Sequence, residues 1–207
     1  MQDFAQIKAR IAQMSANALT MWQTTFSAFM EHDSDLIAAA LQEEQKLNDL
    51  EKEITTNLIE FSRHAPAEKD RVAALYYRDV VGDLELIGDY CKDVLERIEI
   101  KIQEKLLFSE EAVKEYTRLY RISEEALKEV DEALRKDDLN LVKTVLKNEL
   151  HIDSLVDEYR MRHNQRLLAG ICTPMSCNMF LNMLDFTAAI YYHTKKIARN
   201  LLKVRGL

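Results

Sequence analysis

Glycine and proline are scarce in this chain, and their scarcity restricts its fold more than any other feature of the sequence. The 207 residues include only four glycines and two prolines. Tight turns and β-hairpins need residues that adopt a positive φ or a fixed φ, so β-rich and α/β chains use many more of both. The sequence therefore predicts an all-α protein with long helices and few loops.

Apolar residues recur at alternating three- and four-residue steps between a few breaks, as in amphipathic helices. Thr173-Pro174 is the clearest helix start, because a capping hydroxyl precedes a proline at the first helical position. Other breaks fall at His32-Asp33-Ser34, at Pro66 and at Asp137-Asp138. The sequence predicts six helices, over about residues 3–31, 34–61, 67–105, 109–136, 139–169 and 174–203.

The six predicted helices form two sets of three with an internal match. Glu44 and Leu47 in helix two have the same spacing as Glu149 and Ile152 in helix five. Both sets also follow one order: a long helix, a short acidic break, a long acidic helix, a loop and a long helix. This repeat predicts two tandem three-helix bundles, residues 1–105 and residues 106–207.

The charge distribution excludes several classes of partner. The net charge is −7, and no cluster of Lys and Arg interrupts the excess of acid. Nucleic acid and anionic lipid are therefore disfavoured, whereas cations and basic protein surfaces suit the chain.

Two stretches with little charge, residues 11–30 and 171–194, contain polar amides and hydroxyls, so they predict buried or partner-facing helices and no membrane insertion. The N-terminus lacks a signal-peptide pattern, which predicts a cytoplasmic location.

Cysteines and histidines give no support for an enzyme. Cys91, Cys172 and Cys177 are odd in number and lack CxxC spacing, so they predict reduced thiols and neither a disulfide nor a zinc framework. None of the five histidines follows a glutamate by three residues, as di-iron carboxylate bundles require. Nucleotide-binding and serine-hydrolase motifs are also missing from the sequence. The sequence predicts a protein without catalytic residues.

Carboxylates and one amide recur at four-residue steps, which place them on one face of a helix. These candidate metal ligands are Glu44 and Asn48 in helix two, Glu85 and Asp89 in helix three, and Glu149 and Asp153 in helix five. Such oxygen ligands on facing helices suit hard or borderline cations. The alternative is that the acidic stripe is an ordinary solvated face.

Two glycines flank Glu85 within the third predicted helix. Gly82 and Gly88 each cost about 1 kcal/mol relative to alanine in a helix interior. The sequence therefore predicts that a neighbouring element closely approaches the backbone at both positions.

The segment Leu84-Glu85-Leu86-Ile87-Gly88-Asp89-Tyr90 resembles the Leu-Glu-Arg-Ile-Gly-Asp-His signature of the PhoU family. That family consists of six-helix proteins with two three-helix repeats, and the resemblance extends over nearly the whole chain. It implies a regulator of phosphate transport or phosphate signalling whose partner is a phosphate transporter membrane domain or a sensor kinase. The regulator is either a free-standing protein or the cytoplasmic domain of a sodium/phosphate cotransporter, and three segments, residues 6–14, 105–112 and 166–174, favour the second form. Membrane association through the partner and a homodimer are further options.

The resemblance also implies iron or zinc, because the family's E/D-x-x-x-D motifs can bind clusters of these metals. Two pairs match this motif outright, Glu85 with Asp89 and Glu149 with Asp153, while Asn48 replaces one acid. Ala188 and Tyr192 occupy the two acid positions in helix six, so an ion is expected in the first half of the chain. Two alternatives to the regulator stay open, a metal-binding or metal-storage helical bundle and a metal-free helical scaffold.

Overall fold

The computed structural model describes residues 3–65, 67–147 and 152–206, and nearly all of them are helical. No described residue lies in a β-strand, so the all-α prediction is confirmed. The helices are α1 (Phe4–Glu31), α2 (Ser34–His64), α3 (Glu68–Gln103), α4 (Glu110–Lys136), α5 (Leu139–Lys147), α6 (Ile152–Leu168) and α7 (Pro174–Val204). Five predicted helices agree with these bounds within a few residues. The predicted helix over residues 139–169 corresponds to α5 and α6, which lie on either side of residues outside the described ranges.

Side-chain caps fix the helix starts that the sequence predicts. The carboxylate of Asp33 accepts a hydrogen bond from the Asp35 amide at 2.7 Å. The Ser109 hydroxyl accepts from the Ala112 amide at 3.2 Å. Thr173 Oγ1 accepts from the Ser176 amide at 3.2 Å, and Ser176 Oγ accepts in return from the Thr173 amide at 3.1 Å. These contacts satisfy amides that an open helix end would leave without partners.

The first helices of the two sets pack against each other, and so do the last helices. Helices α1, α2 and α3 are in mutual contact, and α4 and α7 contact each other and both α5 and α6. Between the sets, α1 lies against α4 and α3 lies along α7. The buried residues of both sets form one continuous core. The division of the chain at residue 105 therefore stays a prediction.

The charge-poor stretch in α1 is buried between the two sets of helices. Trp22 is fully buried, and its indole N–H donates to the Ser123 hydroxyl of α4 at 3.1 Å. The ring of Phe26 stacks on Tyr120 with the ring centres 3.7 Å apart. Within the described ranges, no helix combines the length and the apolar character that crossing a bilayer requires.

Candidate functional site

Four carboxylates of α2 and α3 lie close enough to act on one another, and we call this set the acidic face: Glu44, Glu51, Glu85 and Asp89. The pKa of Glu85 is raised, first by burial and then by the negative charges of Asp89, Glu51 and Glu44. A hydrogen bond between Glu85 and Asp89 raises this pKa further. The structure thus brings together three predicted site residues, Glu44, Glu85 and Asp89, and adds Glu51.

Glu44 differs from the rest of the acidic face because its carboxylate already has two donors. The Asn48 amide donates to Glu44 Oε1 at 3.0 Å, and the Lys92 ammonium lies 3.4 Å from the same oxygen. Asn48 therefore serves Glu44 as a hydrogen-bond donor where the family pattern has a second acid. Glu51 accepts a hydrogen bond from the Thr55 hydroxyl at 3.0 Å. In the part of the chain that the structure describes, Glu51, Glu85 and Asp89 have no ion-pair partner within 4.0 Å.

The predicted site residues of the second half do not join the acidic face. Asp153 is exposed on α6, a helix that packs on α4 and α7 and does not contact α2 or α3. Glu149 lies outside the described residues. Ala188 and Tyr192 are on α7, and Tyr192 has 57% of its surface exposed. An alanine and an exposed tyrosine supply no carboxylate, so these positions do not fit an ion cluster held by acids.

The two glycines of α3 have different surroundings. A Cβ atom at Gly88 would lie 2.8 Å from Cδ1 of Leu47, so α2 does approach the backbone there as predicted. At Gly82 a Cβ atom would meet nothing within 4 Å, so the prediction of a close approach is wrong at that position. Gly82 instead borders an open groove whose lining also includes Glu51, Glu85 and Lys196.

Asp83 connects α3 with α7. It is not one of the candidate metal ligands that the sequence predicts. Its carboxylate is buried, with 1% of the residue exposed. Oδ1 of Asp83 lies 2.9 Å from His193 Nδ1 and 2.9 Å from the Lys196 ammonium, and this contact raises the pKa of Lys196. Its spacing indicates burial, because Asp83 lies between Val80 and Ile87 on the buried side of α3. His193 therefore lies at the interface between α3 and α7.

A second polar cluster occupies the connection between α6 and α7. One ring nitrogen of His163 and the sulfurs of Cys172 and Cys177 all lie within 4.8 Å of one another. Among the described residues this is the one group of three histidine, cysteine or acidic side chains with so compact a set of ligand atoms. CxxC spacing could not reveal this cluster, because its histidine comes from another helix. The turn at Gly170, with φ of +69°, places that helix beside the two cysteines.

Arg166 orients the polar side chains beside this second cluster. Its guanidinium donates to both carboxylate oxygens of buried Glu115, at 3.2 Å and 2.5 Å. It also lies 3.1 Å from His163 Nδ1, which must accept this bond because arginine can only donate. Burial, followed by the Arg166 charge, lowers the pKa of His163 to about 4. The imidazole is therefore neutral near pH 7.

The sequence and the fold of the chain are both similar to those of known PhoU proteins. The family model of the PhoU domain matches residues 11–98, which lie in α1 to α3. The fold is similar to that of PhoU from Pseudomonas aeruginosa, with a TM-score of 0.90, 18% identity, and coverage of 98% of this chain and 97% of that one. The phosphate transport system regulatory protein PhoU from Streptococcus pneumoniae gives a TM-score of 0.85 at 11% identity, with coverage of 97% and 94%. A PhoU-like protein from Shewanella oneidensis gives 0.59 at 12% identity, with coverage of 97% and 96%. No curated protein sequence matches the chain.

Proposed function

We propose that the chain is a member of the PhoU family and regulates phosphate transport without being an enzyme, because the PhoU domain model matches residues 11–98 and the fold is similar to that of PhoU over nearly the whole chain. The relative from Streptococcus pneumoniae is a phosphate transport system regulatory protein. We further propose that regulation occurs through protein–protein contacts. The partner is a phosphate transporter membrane domain or a sensor kinase.

The unpaired charge on the acidic face is the observation that favours such contacts. Glu51, Glu85 and Asp89 crowd together on helices α2 and α3, and the raised pKa of Glu85 shows that its ionised form is destabilised there. Lysine or arginine side chains of a partner would supply the missing positive charge. Complementary charge of this kind speeds association and selects the partner more than it adds affinity. A basic patch on the transporter or kinase is the partner surface that this face would recognise.

Iron or zinc is a second source of positive charge for the acidic face. Glu51, Glu85 and Asp89 are the ligands that fit this role, since Glu44 is already bound by Asn48 and Lys92. An ion there would cross-link α2 to α3 and would make the docking surface more rigid. The second half of the molecule does not fit a matching carboxylate site, because Ala188 and Tyr192 replace two acids. This asymmetry favours a docking surface over a metal-storage bundle.

The double variant Glu85→Gln/Asp89→Asn tests the docking surface. In host cells that lack the wild-type gene, we expect altered phosphate uptake that the wild-type chain restores and the double variant does not. The measurement is uptake of radiolabelled phosphate in phosphate-rich medium. Glu125→Gln/Glu129→Gln is the matched control, because it removes a carboxylate pair with the same four-residue spacing from α4, where burial also raises the pKa of Glu129.

The outcomes of this experiment test the regulatory function and the docking surface separately. Full restoration by Glu85→Gln/Asp89→Asn would exclude the acidic face as the docking surface. Unchanged phosphate uptake in cells without the gene would reject the regulatory function itself. Elemental analysis of the same purified variants shows whether iron or zinc takes part. Metal in the wild-type protein that is lost in the double variant would place the ion on the acidic face.

A further inference from the structure

We propose that His163, Cys172 and Cys177 form a binding site for one thiophilic metal ion, with Zn²⁺ as the ion that fits best. The site lies at the connection between α6 and α7, so it is separate from the acidic face of α2 and α3. One ring nitrogen and two sulfurs lie within 4.8 Å of one another. Two sulfurs that share a zinc ion at about 2.3 Å each can be no more than about 4.6 Å apart, so the cluster is close to a bound geometry.

The connection that carries the two cysteines is held in place by its own hydrogen bonds. The Gly170 amide donates to the Leu167 carbonyl at 3.0 Å, and the Ile171 amide donates to the Arg166 carbonyl at 2.9 Å. The reciprocal cap between Thr173 and Ser176 then starts α7. Cys172 precedes this cap and Cys177 lies in the first turn of α7. Fixed ligands of this kind reduce the ordering that metal binding requires.

His163 supplies an independent indication that a ligand belongs here. The residue is 1% exposed, and its Nε2 atom has no hydrogen-bond partner, while Nδ1 accepts from Arg166. The ring is also fixed by stacking on Phe180, with the ring centres 4.2 Å apart. A buried polar atom without a partner destabilises a fold, so native proteins rarely keep one without a reason. Coordination of a metal ion by Nε2 would satisfy this atom.

The chemistry of the ligands selects the class of ion. Two thiolates and one imidazole favour a thiophilic cation over Mg²⁺ or Ca²⁺, which prefer oxygen ligands. Binding of Zn²⁺ releases the protons of the two thiols, and the two thiolate charges balance the charge of the ion. The neutral imidazole transfers its proton from Nε2 to Nδ1. Protonated Nδ1 can no longer accept from Arg166, so the guanidinium must turn away from the ring while it keeps its bonds to the Glu115 carboxylate.

Three protein ligands leave the fourth position of a tetrahedral zinc ion for water or another small ligand. Cys172 is itself partly exposed, so solvent can reach the site from its side. The inference does not depend on the proposed function. A zinc site at the α6–α7 connection can be present whether or not the acidic face docks a transporter.

Cobalt titration of the whole 207-residue chain tests the site. The chain is reduced, treated with chelator, and titrated with Co²⁺ without oxygen. We expect one equivalent of Co²⁺ to produce a thiolate-to-cobalt charge-transfer band, and one equivalent of Zn²⁺ to remove it. Cys172→Ser changes a partly exposed residue, so we expect the variant to fold, and it should weaken binding by at least about tenfold. His163→Gln should have the same effect.

Two control variants make the result specific. Cys91→Ala removes the third cysteine, which is buried in α3, and should keep the band if circular dichroism shows that it folds. Glu85→Gln/Asp89→Asn should also keep it, because those carboxylates are on other helices. Co²⁺ bound without a charge-transfer band, or a band of full strength in Cys172→Ser, would overturn the proposal. A wild-type chain that binds no Co²⁺ when reduced and forms a Cys172–Cys177 disulfide in air would overturn it as well.

Discussion

Asp83 is a buried acid whose only described hydrogen-bond partners come from the other half of the molecule. Its Oδ1 accepts from His193 and Lys196, while its Oδ2 is buried without a partner. The variant Asp83→Asn removes the charge that pairs with Lys196 and places an amide donor where no acceptor is described. We expect it to lower the free energy of unfolding by roughly 2 kcal/mol, measured by urea denaturation.

A neighbouring acid provides the control for this prediction. Asp79 lies one turn earlier on α3, is exposed, and has a loose contact with Arg78 at 3.7 Å and a minor charge interaction with Lys196. Asp79→Asn should therefore change the free energy of unfolding by less than about 0.5 kcal/mol. Equal stability of the two variants would show that the Asp83 contact contributes nothing to the junction of α3 with α7.

The two glycines of α3 give opposite predictions at the scale of the helix. Gly82→Ala adds a methyl group where no atom lies within 4 Å, so it should stabilise the protein by about 0.5–1 kcal/mol through helix propensity. Gly88→Ala gains the same propensity but forces the buried side chain of Leu47 to move from a 2.8 Å contact. Overpacking costs about 1–3 kcal/mol, so Gly88→Ala should be less stable than Gly82→Ala by about 2 kcal/mol. Thermal unfolding compares the two, and equal stabilities would contradict the close packing of α2 on α3.

The helices were predictable because local features determine them. Breaks, caps and apolar spacing fix where a helix begins and ends, and the Thr173-Pro174 start shows this most clearly. Pairings between helices depend on contacts far apart in the chain, such as Asp83 with Lys196, and one sequence gives no direct sign of them. The two glycines show the same limit: the same residue in one helix packs on Leu47 at Gly88 and borders a groove at Gly82.

Half of the predicted site was recoverable from spacing alone. The four-residue step predicted Glu44 in α2 and Glu85 with Asp89 in α3, and the structure brings these three together and adds Glu51 from α2. Spacing could not show that Asn48 and Lys92 already bind Glu44. It also could not find the cluster of His163, Cys172 and Cys177, because a turn between two helices brings these ligands together.

At the scale of the whole molecule, the two sets of helices share an interface of buried side chains, and we expect neither set to fold independently. Helices α1 and α4 meet at Trp22, Phe26 and Tyr120, and helices α3 and α7 meet at Asp83 and His193. Separation of the sets would expose fully buried aromatic and aliphatic side chains on both sides. Loss of that burial is unfavourable by roughly 25 cal/mol for each Å² of apolar surface exposed. We therefore expect the repeat in the sequence to describe the arrangement of the helices and not two separate folding units.

We therefore predict a single cooperative unfolding transition for the whole chain. Trp22 is the only tryptophan, and because it is buried between α1 and α4, its fluorescence reports on the contact between the two sets. Circular dichroism at 222 nm reports on all the helices. The urea midpoints from the two probes should coincide, with one m-value for both. A fluorescence change that precedes the loss of helix would show that the sets separate before they unfold, and residues 1–105 and 106–207 would then be distinct folding units.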